Sequence, residues 1–231
     1  MFPIQDTVQS RGVPLVTWAI ILLNGLVFLH ELALPPESLE AFVENLGVVP
    51  ARINADPGAW YTLLTCMFLH GGWMHFIGNM WVLYLFGDGV EDHMGPARYL
   101  VFYLLCGLAA GLTHYFTNLG SPVPTVGASG AIAGVMGAYL VLFPTARVLT
   151  LVPVLFLPLF FEVPAVVYLG IWFASQLFSG TLSLLNAEFA YGGVAWWAHV
   201  GGFVAGMVLL PVFKKAPEQY RDYYPDEYWP W

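Results

Sequence analysis

The sequence predicts an all-α fold: a polytopic membrane protein with six transmembrane helices in one bundle. Three observations predict it. Hydrophobic residues make up 58% of the 231 and charged residues 10%, against about 25% charged in a soluble domain, so the solvent of this chain is lipid. The charges are also confined. No Asp, Glu, Lys or Arg occurs from Gly12 to His30, from Pro57 to Gly87, from Tyr99 to Ala146, from Val163 to Ala187 or from Phe189 to Phe213. A spanning helix needs about 20 mostly apolar residues. The stretch beginning at Tyr99 holds two spans, divided where Asn118-Leu119-Gly120-Ser121-Pro122-Val123-Pro124 supplies loop-forming residues.

Taken in order, the first span covers about 14–33. One basic residue, Arg11, precedes it and no small-x-small cleavage site closes it, so it reads as a retained helix and not a signal peptide. Leu34 to Ala59 is the longest external loop. Within it, Ser38 to Leu46 forms a short interfacial helix with Leu39, Phe42, Val43 and Leu46 on one side. The next spans cover about 70–88, 98–117 and 127–144. Val148 to Phe161, interrupted by Pro153 and Pro158, is an interfacial or re-entrant connection. Spans at about 164–184 and 196–213 follow, and a charged, aromatic tail from Lys214 lies at the membrane surface. This divides the chain into an N-terminal segment 1–13, a membrane domain 14–213 and a tail 214–231, with no repeat and no second domain.

Six spans place both termini on one side. Arg11, Arg98, Arg147, Lys214, Lys215 and Arg221 then share that side, and Arg52 alone faces the other. Basic residues near helix ends favour the cytoplasm, so both termini are expected there. The formal net charge of −8 argues against a nucleic-acid partner. Cys66 and Cys106 sit in apolar runs, which suggests no disulfide framework, and no metal-ligand spacing of Cys and His stands out. Nothing in the sequence sets an oligomeric state.

A polar side chain at bilayer depth needs a partner, a cavity or a function. His75 and Asn79, four residues apart, share one helix face, and both donate hydrogen bonds. Two donors aimed at one point suit the oxyanion of a tetrahedral acyl-transfer intermediate, although, taken alone, contacts between helices explain such residues more simply. Ser129, in Gly127-Ala128-Ser129-Gly130, falls in the first turn of the fourth span, where free N–H groups gather. Alone, it reads more simply as an N-cap or packing residue. His199 is followed by Gly202 and Gly206, and Gly130, Gly134 and Gly137 make a similar face on the fourth span. Two such small-residue faces let backbones approach closely, which brings Ser129 within reach of a base. No acidic residue within the membrane is available to orient His199, so the arrangement reads as a Ser–His dyad and not a triad.

Three segments together resemble the rhomboid family of intramembrane serine proteases. His70-Gly71-Gly72-Trp73-Met74-His75-Phe76-Ile77-Gly78-Asn79 resembles its second-helix motif. Gly127-Ala128-Ser129-Gly130 with Gly134 and Gly137 resembles its nucleophile motif, and Ala198-His199 with Gly202 and Gly206 its sixth-helix motif. The resemblance implies that Ser129 is the nucleophile and His199 the base, with His75, Asn79 and the Ser129 N–H holding the oxyanion. It implies a site open to water on the external side, and single-span membrane proteins as substrates. It also implies a fifth span and a fifth loop (about Leu185 to Ala195) as gate and cap, and no cofactor. The helix count matches the minimal form found in a bacterial or archaeal plasma membrane. Two departures stand out. Trp60-Tyr61-Thr62 occupies the place of a Trp-Arg pair in the first loop, and Ala133 the place of an aromatic that stacks on the base. An inactive relative that binds membrane proteins, or a small transporter lined by His75, Asn79 and His199, are the competing readings.

Overall fold

The computed structural model describes residues 2–8, 10–154, 157–185 and 194–215. Most of the expected cap after Leu185, and the tail beyond Lys215, lie outside them. Nine α-helices follow one another among the described residues: α1 (Leu15–Ala33), α2 (Pro36–Leu46), α3 (Pro50–Ala55), α4 (Thr62–Thr65), α5 (Trp73–Met94), α6 (Pro96–Thr117), α7 (Ser129–Leu142), α8 (Ala165–Leu185) and α9 (Trp196–Phe213). Four of them, α1, α6, α8 and α9, are long and apolar enough to cross a membrane, so this is a multi-pass membrane protein.

The two remaining helices of the bundle fall short for different reasons. α5 is 22 residues long but carries Asp88, Glu91 and Asp92 in its second half. α7 has 14 residues, about 21 Å at 1.5 Å per residue, against a hydrocarbon thickness of about 30 Å. Its shortness is tolerable because it hardly meets lipid. Every residue from Gly130 to Tyr139 is buried, with α5, α6, α8 and α9 packed around it. Expected start and end points shift most at α5, which begins at Trp73 because Gly72, at φ 144°, turns the chain into the helix.

Acidic side chains anchor both ends of α1. Its N-terminus has no side-chain cap of its own. Glu91 of α5 supplies one, accepting from the N–H groups of Val16 (2.9 Å) and Thr17 (2.8 Å) and from the Thr17 hydroxyl (2.8 Å). Near the other end, buried Glu31 accepts from the His70 N–H at 3.1 and 3.2 Å. An acid does therefore lie within a helix long and apolar enough to span, but it holds the chain entering α5 and has no contact with His199.

The all-α expectation needs correction. Residues 147–164 form a β-hairpin, β2 (Arg147–Val154) and β3 (Leu157–Pro164), and β1 (Phe2–Asp6) from the N-terminal segment adds a third antiparallel strand in the order β1-β2-β3. Alternation explains it: Val148 and Thr150 are buried while Arg147 is exposed and Leu149 and Leu151 are half-buried, the two-residue period of a strand. The prolines that suggested a broken connection pair with each other, Pro153 with Pro158. There β2 lies beyond its pairing with β1, so no ladder hydrogen bond is lost on that edge. The sheet closes the end of the bundle at which α1 begins. Trp81 Nε1 of α5 donates to Pro3 O (2.7 Å), and the Tyr139 hydroxyl of α7 donates to Asp6.

At the opposite end, α2 turns Leu39, Phe42, Val43 and Leu46 inward while the rest of the helix is exposed. The arginine missing beside Trp60 has a counterpart earlier in the same loop. Arg52 donates to Glu44 O (2.8 Å), to Asn45 O (3.0 Å) and to the Tyr61 hydroxyl (3.1 Å). Thr62 only caps its own turn, donating to Ala59 O.

Candidate active site

Glycines determine where the central helices sit. A Cβ on Gly202 would overlap the Gly130 carbonyl oxygen, one on Gly206 that of Gly134, and one on Gly137 that of Phe203. α7 and α9 therefore meet backbone to backbone, as their small-residue faces imply. This contact carries Ser129, at the first position of α7, against His199 on the first turn of α9. The separation of Ser129 Oγ and His199 Nε2 is 2.8 Å.

The other ring nitrogen of His199 is also engaged. Nδ1 lies 2.8 Å from Oε1 of Gln176 on α8, and the ring of Trp172 lies alongside, 5.8 Å away and inclined by 36°. Sequence reasoning missed both. The available signal was a single amide in a span whose other polar residues are hydroxyl-bearing. Ala133, where an aromatic was sought, is fully buried in α7, and the aromatic reaches His199 from α8 instead.

His75 faces the same point from α5. The Gly71 N–H donates to its Nδ1 at 3.3 Å. A backbone N–H can only donate, so Nδ1 is the acceptor and the His75 proton sits on Nε2. Gly127 makes room for that edge of the ring. A Cβ there would stand 2.7 Å from His75 Nε2 and Cε1 and 3.7 Å from Ser129 Oγ. Gly127 also has φ 130°, a conformation few residues other than glycine adopt. One turn beyond His75, the Asn79 side-chain NH₂ is buried and has no hydrogen-bond partner. Leaving a buried donor unmade is costly, so an acceptor arriving here would be stabilised. His70, behind His75, has neither ring nitrogen paired.

On the α6 side, a cavity of about 30 Å³ borders Ser129, room for roughly two waters. His114 and Thr125 give it polar lining. His114 Nε2 pairs with Thr125 Oγ1 at 2.8 Å, and its Nδ1 with Asn118 Nδ2 at 3.3 Å. The sequence reading did not single out His114.

A multi-pass membrane protein with a Ser–His pair at the start of a buried central helix, and unpaired donors on the helix beside it, is the class of protein this fold and site define. Residues 57–216 match the rhomboid domain, and the chain belongs to the rhomboid family. It is 26% identical over 199 residues to rhomboid-like protein 11, chloroplastic, of Arabidopsis thaliana, covering 86% of this chain and 69% of that one. It is 33% identical over 138 residues to the rhomboid protease GluP of Bacillus subtilis, covering 59% and 26%. With the mitochondrial rhomboid protein 1 of Saccharomyces cerevisiae it shares 28% over 164 residues, covering 69% and 44%. The chain thus spans less than half the length of the last two.

Proposed function

We propose that this protein is an intramembrane serine endopeptidase that cuts single-span membrane proteins near the outer part of the bilayer. In this reading, residues 14–213 form the protease domain. α1, α5, α6, α7, α8 and α9 are its six spans, and both termini are cytoplasmic in a plasma membrane. Segments 1–13 and 214–231 flank it, and no cofactor takes part.

The observation that carries the reading is the 2.8 Å approach of His199 Nε2 to Ser129 Oγ. A serine hydroxyl becomes a useful nucleophile when a base within hydrogen-bond reach accepts its proton. Ser129 Oγ attacks the scissile carbonyl while its proton passes to His199 Nε2. The carbonyl oxygen, now negative, takes hydrogen bonds from His75 Nε2–H, the Asn79 NH₂ and the Ser129 N–H, the last free because it opens α7. His199 then protonates the leaving amine as the C–N bond breaks. Water, giving a proton to the same nitrogen, attacks the acyl carbon, and as the bond to Ser129 Oγ breaks His199 returns that proton to the serine. Gly127, Gly130, Gly134, Gly202 and Gly206 serve as packing that keeps the two reacting groups together. The helix of a substrate must be locally unwound to present its carbonyl, which favours substrates with helix-destabilising segments.

The test is labelling by a fluorophosphonate probe together with cleavage of a model single-span substrate in lipid. Wild type is expected to do both, and Ser129→Ala neither. Wild-type protein that does neither sinks the protease reading and leaves a non-cleaving membrane-protein binder. Cleavage retained by Ser129→Ala would move the nucleophile elsewhere.

A further inference from the structure

We infer that Gln176 is the positioning residue of the Ser129–His199 pair, and that through it the orientation of the base depends on how α8 seats against α9. The inference rests on the protease reading above.

A neutral imidazole has one nitrogen that donates and one that accepts, and either tautomer is open to it. Nε2 works as a base toward Ser129 only when the proton is on Nδ1. The partner of Nδ1 therefore decides. Which end of the Gln176 amide faces His199 follows from its other contacts. One end lies 3.4 Å from the Trp172 carbonyl oxygen and 3.0 Å from Ser175 Oγ. A carbonyl only accepts, so the NH₂ is at that end, and the atom 2.8 Å from His199 Nδ1 is Oε1. An amide oxygen only accepts as well, so Nδ1 donates and carries the proton. The lone pair of Nε2 then points along the 2.8 Å contact to Ser129.

Gln176 is 5% exposed. Burying an amide among apolar helices is costly unless it is hydrogen-bonded, and here both ends are. A carboxylate in the same place would orient the ring too, but would carry a charge into a membrane interior. The amide orients without that cost.

Trp172, Gln176 and Gly180 are spaced by four, so they form one stripe on α8. Trp172 lies along His199, Gln176 holds Nδ1, and the Gly180 carbonyl accepts from Trp197 Nε1 at 3.0 Å. Phe173 adds a stacked contact to Phe203 at 4.6 Å. Away from this stripe α8 is largely exposed, at Val166, Val167, Ile171, Phe178, Leu184 and Leu185. Both lateral supports of the base thus come from one face of a helix held mainly by that face. Separating α8 from α9 would leave Ser129 and His199 adjacent, with the ring free to rotate and change tautomer.

The experiment compares wild type, Gln176→Leu and Gln176→Glu in lipid nanodiscs. It measures kcat and KM on a single-span substrate, fluorophosphonate labelling, and histidine ¹⁵N shifts, with the His199 signals assigned by their loss in His199→Ala. The Leu variant is expected to lose about 10- to 100-fold in kcat with KM within about twofold, to label correspondingly slowly, and to lose the Nδ1–H signature. The Glu variant, which keeps the acceptor, should recover to within about fivefold of wild type. If the Leu variant fails to fold, Gln176→Met is read in its place. The inference is overturned by wild-type kcat in the Leu variant, by a loss that appears in KM alone, or by a Glu variant no better than Leu. Wild-type protein that does not label would sink the protease reading. The ¹⁵N tautomer of His199 in that same protein would still report on Gln176.

Discussion

α9 packs on α6, α7 and α8, and two of these interfaces, those with α7 and α8, are made differently. Against α7, the backbones touch, with Gly202 and Gly206 on the carbonyls of Gly130 and Gly134. Against α8 the contact is through side chains: Trp172, Phe173 and Gln176 reach across to Phe203 and His199, and Trp197 reaches back to Gly180. The first interface determines where Ser129 and His199 stand, and a backbone seam has almost no freedom to adjust. The second determines how His199 is turned, and rotamers can change. Position and orientation of the His199 ring are therefore assigned to separate interfaces.

The most severe way to break this division is to fill the seam. Gly206→Val places carbon where the Gly134 carbonyl lies, and no rotamer relieves a clash between backbones. The expected outcome is loss of fluorophosphonate labelling and a fall in thermal midpoint of about 10 °C, corresponding to overpacking of about 3 kcal/mol. Gly180→Ala in the other interface brings a Cβ to 3.2 Å from the Trp197 ring, which an indole can escape by tilting, so its midpoint should move far less. Equal effects of the two substitutions in a thermal melt would erase the distinction between the interfaces.

A smaller effect tests the third wall of the site. His75 and Asn79 lie on α5, outside both of these interfaces, so removing one donor should change chemistry without disturbing either. Asn79→Ala is expected to lower kcat by about 10²-fold at most, with KM and thermal midpoint close to wild type, as for loss of one of several oxyanion donors. Steady-state kinetics at full rate would remove Asn79 from that role.

The same contrast explains what could be read from the sequence. The glycine spacing on α7 and α9 is visible in one dimension because close packing needs small residues at fixed intervals. The pairing of Ser129 with His199 followed from that. His75 and Asn79 were legible because a spacing of four puts them on one face. Gln176 was not, because its partner is 23 residues away on another helix and nothing in its own span marks which way it points. The role of Arg52 was hidden in the same manner: its contacts to Glu44, Asn45 and Tyr61 close the loop from outside the Trp-Arg position. The hairpin at 147–164 was missed because two prolines mask a strand period, and β1 because strand pairing between residues 2–6 and 148–151 leaves no local signature.

The smallest expected effect lies at the far end of α7, and it asks whether the glycine seam alone seats that helix. Asp6 of β1 accepts from the Tyr139 hydroxyl. Burial, with Asp88 nearby, raises its carboxyl to about 6, although the Tyr139 hydrogen bond opposes the shift. An unfolded Asp titrates near 3.9. Between these values the folded state holds the proton that the unfolded state has released, so stability falls as pH rises through this window and levels off above it. The thermal midpoint of wild type should drop between pH 4.5 and pH 7.5. Asp6→Asn, a neutral isostere that still accepts from Tyr139, should remove part of that drop, about 2 °C. If the seam seats α7, labelling of Ser129 will be the same in both proteins at either pH. A variant with altered labelling would mean that the charge on Asp6 helps place Ser129, and an unchanged slope of midpoint against pH would remove Asp6 as its source.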